Sequence, residues 1–261
     1  MPSTGGDRLW IALGDIHGDI KRCGRIPELP RADGIIVTGD LTNVGGVREA
    51  EAVMNAIVAL GLPCWAQIGN MDKPEVDGWL TKKGWNLHNT VRELAPDVAA
   101  FGIGASTPTP FKTPSEFPES SYAEWLDRCW QDAGKYPHTI LVSHNPPKGT
   151  ACDVVSGSVH VGSQAVRDFL EKAQPDLCLC GHIHEARAMD KVGRTIVLNP
   201  GAFGTGGYIL VRLAQGKLDA ELCTISQGAS LLSGPVYDPE VSKAALWSMP
   251  EMDGKAGQGR P

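Results

Sequence analysis

The chain has 261 residues, thirty acidic against twenty-four basic side chains, and a net charge of −6. With 42% apolar residues it can bury a full core as one domain of above-average size. No Lys/Arg block is present to neutralise a run of phosphates, which excludes long nucleic acid as the expected partner, and no apolar run approaches the ~18 residues of a membrane span.

In chain order, residues 1–7 are polar and lack a signal-peptide pattern. Residues 9–13 read as a strand, followed by a short helix capped by Asp19 and stopped by Pro27 and Pro30. A second strand is expected over 34–38, a helix over 47–60 from the spacing of Val47, Ala50, Val53, Met54, Ile57, Val58 and Leu60, and a third strand over 63–68. Glu75 opens another helix after Pro74, ending near Lys82 with Gly84 beyond. Residues 98–103 read as a strand. Residues 106–114 hold too many prolines for either regular state, so they form a surface loop, and Phe111 and Phe117 imply that it is held against something.

The spacing then predicts helices over 121–132 and 163–172, with Ser163 capping the second, and strands over 139–143 and 176–180. Residues 195–198, 207–213 and 218–225 read as an antiparallel meander with a Gln215-Gly216 turn. Strand-helix alternation up to residue 180 makes the fold a mixed α/β core with parallel neighbours. Residues 1–234 are read as one domain and 235–261, rich in Pro, Gly, Lys and Ser, as a C-terminal arm or tail. The seven cysteines are odd in number and scattered without a CxxC, which reads as reduced, cytoplasmic thiol; Cys178 and Cys180 share one strand face and pack as small hydrophobes.

Five short segments carry the chemistry: Asp15-Ile16-His17, Gly39-Asp40, Gly69-Asn70, Ser143-His144 and Gly181-His182-Ile183-His184. Most follow an apolar run, so each ligand-type side chain sits just past a strand's C-terminal end, where such groups converge. Alone, a Gly-Asp pair is a turn and a strand-end histidine a satisfied polar residue; the ordered set points to a two-metal site. Asp40 is the natural bridge between the two ions, Asn70 adds a neutral oxygen, and imidazoles at His17, His144, His182 and His184 suit manganese, iron, nickel, cobalt or zinc. Such ions clamp the oxygens of an in-line phosphate displacement and make a bridging hydroxide available near neutrality.

The ordered set Asp15-x-His17, Gly39-Asp40, Gly69-Asn70, His144 and Gly181-His182-x-His184 resembles the calcineurin-like metallophosphoesterase superfamily, over residues 8 to about 213. The resemblance implies a four-layer α-β-β-α sandwich, two mixed sheets flanked by helices, with the metals at the strand ends between them. It also implies that Asp15, His17, Asp40 and His184 hold one metal and that Asp40, Asn70, His144 and His182 hold the other.

Many members follow the Asn with a His credited with protonating the leaving oxygen; here Met71 stands in its place. In this, and in the Asn199-Pro200-Gly201 turn, the chain is similar to the small prokaryotic phosphodiesterase-like branch. A methionine donates no proton, so the leaving group must be good or be protonated otherwise. His160, before the 163–172 helix, is the candidate substitute, and Asn70 and His160 are the candidate catalytic residues. His88 and His138 are read as structural. Asp72 and Asp153 are read either as partners that orient imidazoles or equally as solvated turn residues, and Asn145-Pro146-Pro147 fixes the loop that aims His144. The expected activity is hydrolysis of a small phosphate ester, most readily a diester. A fold-retaining binding scaffold and a phosphomonoesterase or pyrophosphatase are the alternatives.

Overall fold

The computed structural model describes residues 6–156 and 158–225; the domain end near 234 and the arm over 235–261 lie outside them. The elements are β1 (Arg8–Leu13), β2 (Gly34–Val37), α1 (Val47–Val58), β3 (Cys64–Ala66), α2 (Glu75–Lys82), β4 (Val91–Ala95), β5 (Val98–Ile103), α3 (Glu119–Ala133), β6 (His138–Ser143), β7 (Val154–Val155), β8 (Val159–His160), α4 (Gln164–Ala173), β9 (Leu177–Leu179), β10 (Ala188–Val192), β11 (Thr195–Asn199), β12 (Gly207–Ala214) and β13 (Lys217–Thr224). One sheet has the order β13-β12-β1-β2-β3 and the other β10-β11-β9-β6-β5-β4. In the first, β1, β2 and β3 are parallel while β12 runs antiparallel to β1. In the second, β5, β6, β9 and β11 are parallel and the edges β4 and β10 antiparallel.

The period-two alternation of each strand sorts its side chains into three apolar layers. Trp10 and Ala12 of β1 face inward with Ile36, meeting Ile140, Val142, Leu177 and Leu179 of the opposite sheet. Their neighbours Ile11, Leu13, Ile35 and Val37 face outward onto Ala50, Val53, Met54 and Ile57 of α1 and Val76 and Leu80 of α2. Behind the second sheet, Phe101, Leu141, Cys178 and Cys180 pack on Tyr122, Leu126 and Cys129 of α3 and Val166, Phe169 and Leu170 of α4. Helix, sheet, sheet, helix: this is the expected four-layer sandwich. All seven cysteines are unpaired, and among the described residues no helix is long and apolar enough to cross a membrane.

Three local expectations are corrected. No α-helix follows Asp19; the prolines and Gly24 leave only 3-10 turns at Cys23–Arg25 and Leu29–Arg31. The three late strands are not one meander: β11 pairs with β9 and β10, and of the three only β12 and β13 pair with each other, so the chain changes sheets between Asn199 and Gly207; β7 and β8 form a separate small hairpin. The edge strands β4 and β10 escape the sequence reading because an edge is half solvated and its charged residues, Arg92 and Glu93 or Asp190 and Lys191, mask the alternation.

Buried Gln67, just past β3, reaches both sheets at once: its Nε2 lies 3.1 Å from the Thr38 carbonyl and 3.2 Å from those of Ile103 and Val142. This amide staples the sandwich at the strand ends. Gln67→Leu is expected to leave those carbonyls short of a donor and to cost about 1–3 kcal/mol, read as a lower urea midpoint with an unchanged m-value.

Candidate metal centre

Asp15 and His17 follow β1, Asp40 follows β2, Asn70 follows β3, His144 follows β6, and His182 and His184 follow β9. Because these strands run parallel within each sheet, their C-terminal ends form one rim. Asp15, His17, Asp40 and His182 all have left-handed backbones, with φ of 49°, 47°, 51° and 69°, a region that side-chain-bearing residues enter only when the surroundings impose it. Here the loops impose it on one another. Asp15 N donates to Gly39 O at 3.0 Å, Ile16 N and His17 N donate to Asp40 O at 2.8 and 3.0 Å, and Gly18 N donates to Leu41 O at 2.9 Å. His182 N donates to both carboxylate oxygens of Asp15 at 3.0 and 3.1 Å, joining the two sheets.

The side chains converge in two overlapping groups. Asp15, His17, Asp40 and His184 each offer a ligand atom, all within 4.8 Å of one another. His17 Nε2 and His184 Nε2 face each other at 3.0 Å, and His184 Nε2 is 3.4 Å from Asp15 Oδ1. In the second group, Asn70 Oδ1 lies 3.1 Å from His144 Nε2 and 2.7 Å from His182 Nδ1. Asp40 joins the groups: its Oδ2 is 3.6 Å from His17 Nε2 and 3.5 Å from His144 Nε2. Imidazole nitrogens, carboxylate oxygens and one amide oxygen aimed inward are a donor set that fits divalent transition ions.

The glycine preceding three of these ligands has a steric cause. A Cβ on Gly39 would lie 2.5 Å from His144 Nδ1, one on Gly181 would lie 2.5 Å from Asp15 Oδ2, and one on Gly69 would collide with Asp40 Oδ1. Each glycine makes room for a ligand from a different loop.

Other side chains hold the ligands in place. Asp72, fully buried, accepts from Leu41 N, Thr42 N, Thr42 Oγ1 and Gly69 N, and the Thr42 carbonyl faces His17 Nδ1 at 3.1 Å. By hydrogen bonding it therefore positions an imidazole, that of His17, only through Thr42. Asn199 donates to Ile183 O at 2.9 Å and so fixes the loop bearing His182 and His184. Thr113 Oγ1 accepts from Asn70 Nδ2 at 3.0 Å, turning the amide oxygen inward. Gln67, Thr42 and Thr113 escape the sequence reading because they belong to no motif and act through backbone carbonyls or a hydroxyl.

His160 stands apart from this group. Its Nδ1 is 2.7 Å from Asp153 Oδ1, and although Val155, Ser156 and Val161 line the cleft over the centre, His160 does not. Asp153 spends its remaining acceptor capacity on Gly149 N, Thr150 N and Gly162 N, so it braces the hairpin and orients none of the clustered imidazoles. His88 is structural, accepting from Gly104 N at 2.9 Å. Ser143 Oγ donates to Asn145 O at 2.6 Å, closing the turn after His144.

Burial opposes charge on Asp40, yet His144, His17 and the Met71 amide outweigh it and hold the carboxyl below its usual range. Burial likewise opposes charge on His144, but the Asp40, Asp15 and Asp72 carboxylates push it up to about 9. His182, buried and beside His144, is pushed down to about 4. Burial and the neighbouring Asp40 push Asp72 up to about 7.

Residues 11–186 match the calcineurin-like phosphoesterase family. The chain belongs to that family. An uncharacterized protein of Methanocaldococcus jannaschii is 33% identical over 200 residues, covering 73% of this chain and 86% of its own. The 3',5'-cyclic adenosine monophosphate phosphodiesterase CpdA of Escherichia coli K12 is 27% identical over 182 residues, 67% of this chain and 62% of that enzyme. Among solved structures, TT1561 of Thermus thermophilus superimposes with a TM-score of 0.64 at 21% identity, covering 84% of this chain and 99% of that one.

In this calcineurin-like phosphoesterase, Met71 lines the cleft, and its backbone N–H donates to Asp40 Oδ1 at 2.8 Å. The backbone at that position is used; the side chain offers no proton. Two outcomes are expected at the centre. Since a ligating imidazole must be neutral and His144 titrates at about 9, manganese binding should release a proton at pH 7 and tighten about tenfold per pH unit until pH passes 9; calorimetry in buffers of different ionisation enthalpy measures this. Gly69→Ala should push Asp40 aside and weaken manganese at least roughly tenfold, read by metal titration with the circular dichroism spectrum unchanged.

Proposed function

We propose that this chain is a dinuclear, metal-dependent phosphodiesterase. Asp15, His17, Asp40 and His184 would hold one divalent cation, and Asp40, Asn70, His144 and His182 the second. The observation that carries the reading is the meeting of the two donor groups at Asp40, 2% exposed, on the floor of an open cleft. When bound, such a cation pair supplies Lewis acidity and a hydroxide nucleophile at neutral pH. Manganese, iron, nickel, cobalt and zinc all suit these donors.

The chain's own contribution is positioning. Asp40 is braced by Met71 N and by the backbone bonds from Ile16 and His17, so its two oxygens are presented in fixed directions. Thr42 fixes the His17 ring and Thr113 fixes the Asn70 amide, which removes the reorganisation that loose ligands would require. Met71 brings no acid to the departing oxygen. That favours substrates whose leaving group bears its own negative charge, and the similarity to a cyclic nucleotide phosphodiesterase supports diesters over monoesters. A scaffold without chemistry is disfavoured because all seven donors remain and converge.

Manganese-loaded protein should hydrolyse bis(4-nitrophenyl) phosphate faster than 4-nitrophenyl phosphate, and Asp40→Asn should lower kcat/KM by at least about 10²-fold. Protein grown with ample manganese and iron yet purified almost metal-free, or inert with all five metals, would sink the proposal.

A further inference from the structure

The cleft above the centre has a volume of about 1310 Å³, more than the ~300–1,000 Å³ typical of small-molecule pockets. A phosphoryl group on its floor leaves most of that space for the rest of the substrate. Val44, Phe111 and Val161 line the cleft and are 50%, 83% and 39% exposed, three of the six exposed large apolar side chains among the described residues. Such a concentration marks a binding surface.

Phe111 and Phe117 imply a loop held against something. Phe117 provides that anchor, its ring 5.1 Å from that of Trp125. Phe111 is left in the open on a loop that is itself stiff. Glu116 Oε1 accepts from Thr109 Oγ1 at 2.6 Å, Thr113 N at 2.7 Å and Thr113 Oγ1 at 2.6 Å, and Phe111 N donates to Thr109 Oγ1 at 3.2 Å. Pro108, Pro110 and Pro114 restrict the backbone further. The base of the loop is bonded to the centre: Ser115 N donates to Asn70 O at 3.1 Å, Ser115 Oγ donates to Asp72 O at 2.6 Å, and Thr113 holds the Asn70 side chain. An exposed aromatic ring on a braced loop tied to a candidate metal ligand is prearranged relative to the centre.

The geometry points to Phe111 as a specificity-determining residue that holds an aromatic ring on one ester arm of the substrate, making the substrate class phosphodiesters with a ring-bearing arm. This rests on the phosphodiesterase reading above. An aromatic ring suits the cleft better than an alkyl chain on two grounds. Paired rings attract beyond the area they bury, and Met71, which lines the same cleft, carries a thioether of the kind that favours aromatic neighbours. Asn43, Ser156 and Glu185, lining the same cleft, offer polar groups that a heteroaromatic edge uses and a hydrocarbon does not.

The test measures binding without turnover. Manganese-loaded protein is titrated calorimetrically with methylphosphonate, phenylphosphonate and 2-phenylethylphosphonate, which share the phosphoryl group and resist hydrolysis. At least one ring-bearing ligand should bind roughly three- to tenfold more tightly than methylphosphonate. That ratio should collapse toward one in Phe111→Ala and persist in Phe111→Tyr; both variants alter an exposed side chain, so both should fold. Equal ratios in the wild type and Phe111→Ala, with bis(4-nitrophenyl) phosphate still hydrolysed, overturn the ring assignment and leave the phosphodiesterase reading standing. A wild type that neither retains manganese nor hydrolyses any ester overturns both.

Discussion

A carboxylate withdrawn from water must be compensated by donors or opposite charge, and Asp40, 2% exposed, draws its compensation from three separate loops. Met71 N bonds one oxygen, while His17 and His144 approach the other from opposite sheets. None of the loops could be moved without stranding that charge. The rim geometry therefore follows from one buried anion as much as from any strand, and the sandwich serves to deliver five strand ends to it.

How much of this is legible in sequence depends on whether a feature is local. The apolar runs before Asp15, Asp40, His144 and His182 are contiguous, so their strands can be read directly, and helix α2 begins and ends at Glu75 and Lys82 as its Pro74 and Gly84 signals indicate. The clustered donors are legible because their glycine-ligand pairs repeat. The steric reason for those pairs is not, since the atom that forbids a Cβ on Gly69 belongs to Asp40, and the one that forbids it on Gly39 belongs to His144, 105 positions later by the numbering. The strand at residues 195–198 is legible in sequence, but its place in the second sheet is not, for a similar reason. Nothing local in residues 195–199 tells which sheet they join; that is decided by pairing with β9 and by the turn at Asn199-Pro200-Gly201, where Gly201 takes a φ of 71°. His160 is drawn toward the site by its neighbours in sequence, whereas the buried Asp153 claims its ring.

The left-handed backbones at Asp15, His17, Asp40 and His182 are a cost the fold bears before any cation arrives. So is the raised proton affinity of His144, which the Asp40, Asp15 and Asp72 carboxylates push up against the effect of its burial. Both liabilities point the same way. A divalent ion held by these residues would take the place of such a proton as counter-charge to Asp40, and because the backbone already holds the donors within a few ångströms of one another, its binding would require little further ordering. The strained conformations persist because Trp10, Ile36, Ile140, Leu177 and their neighbours lock the two sheets together immediately beneath the rim, and Gln67 ties the strand ends above that core. Local rules are broken where the donors sit and obeyed in the layers below, which is the distribution expected when a rigid frame holds a functional site in place.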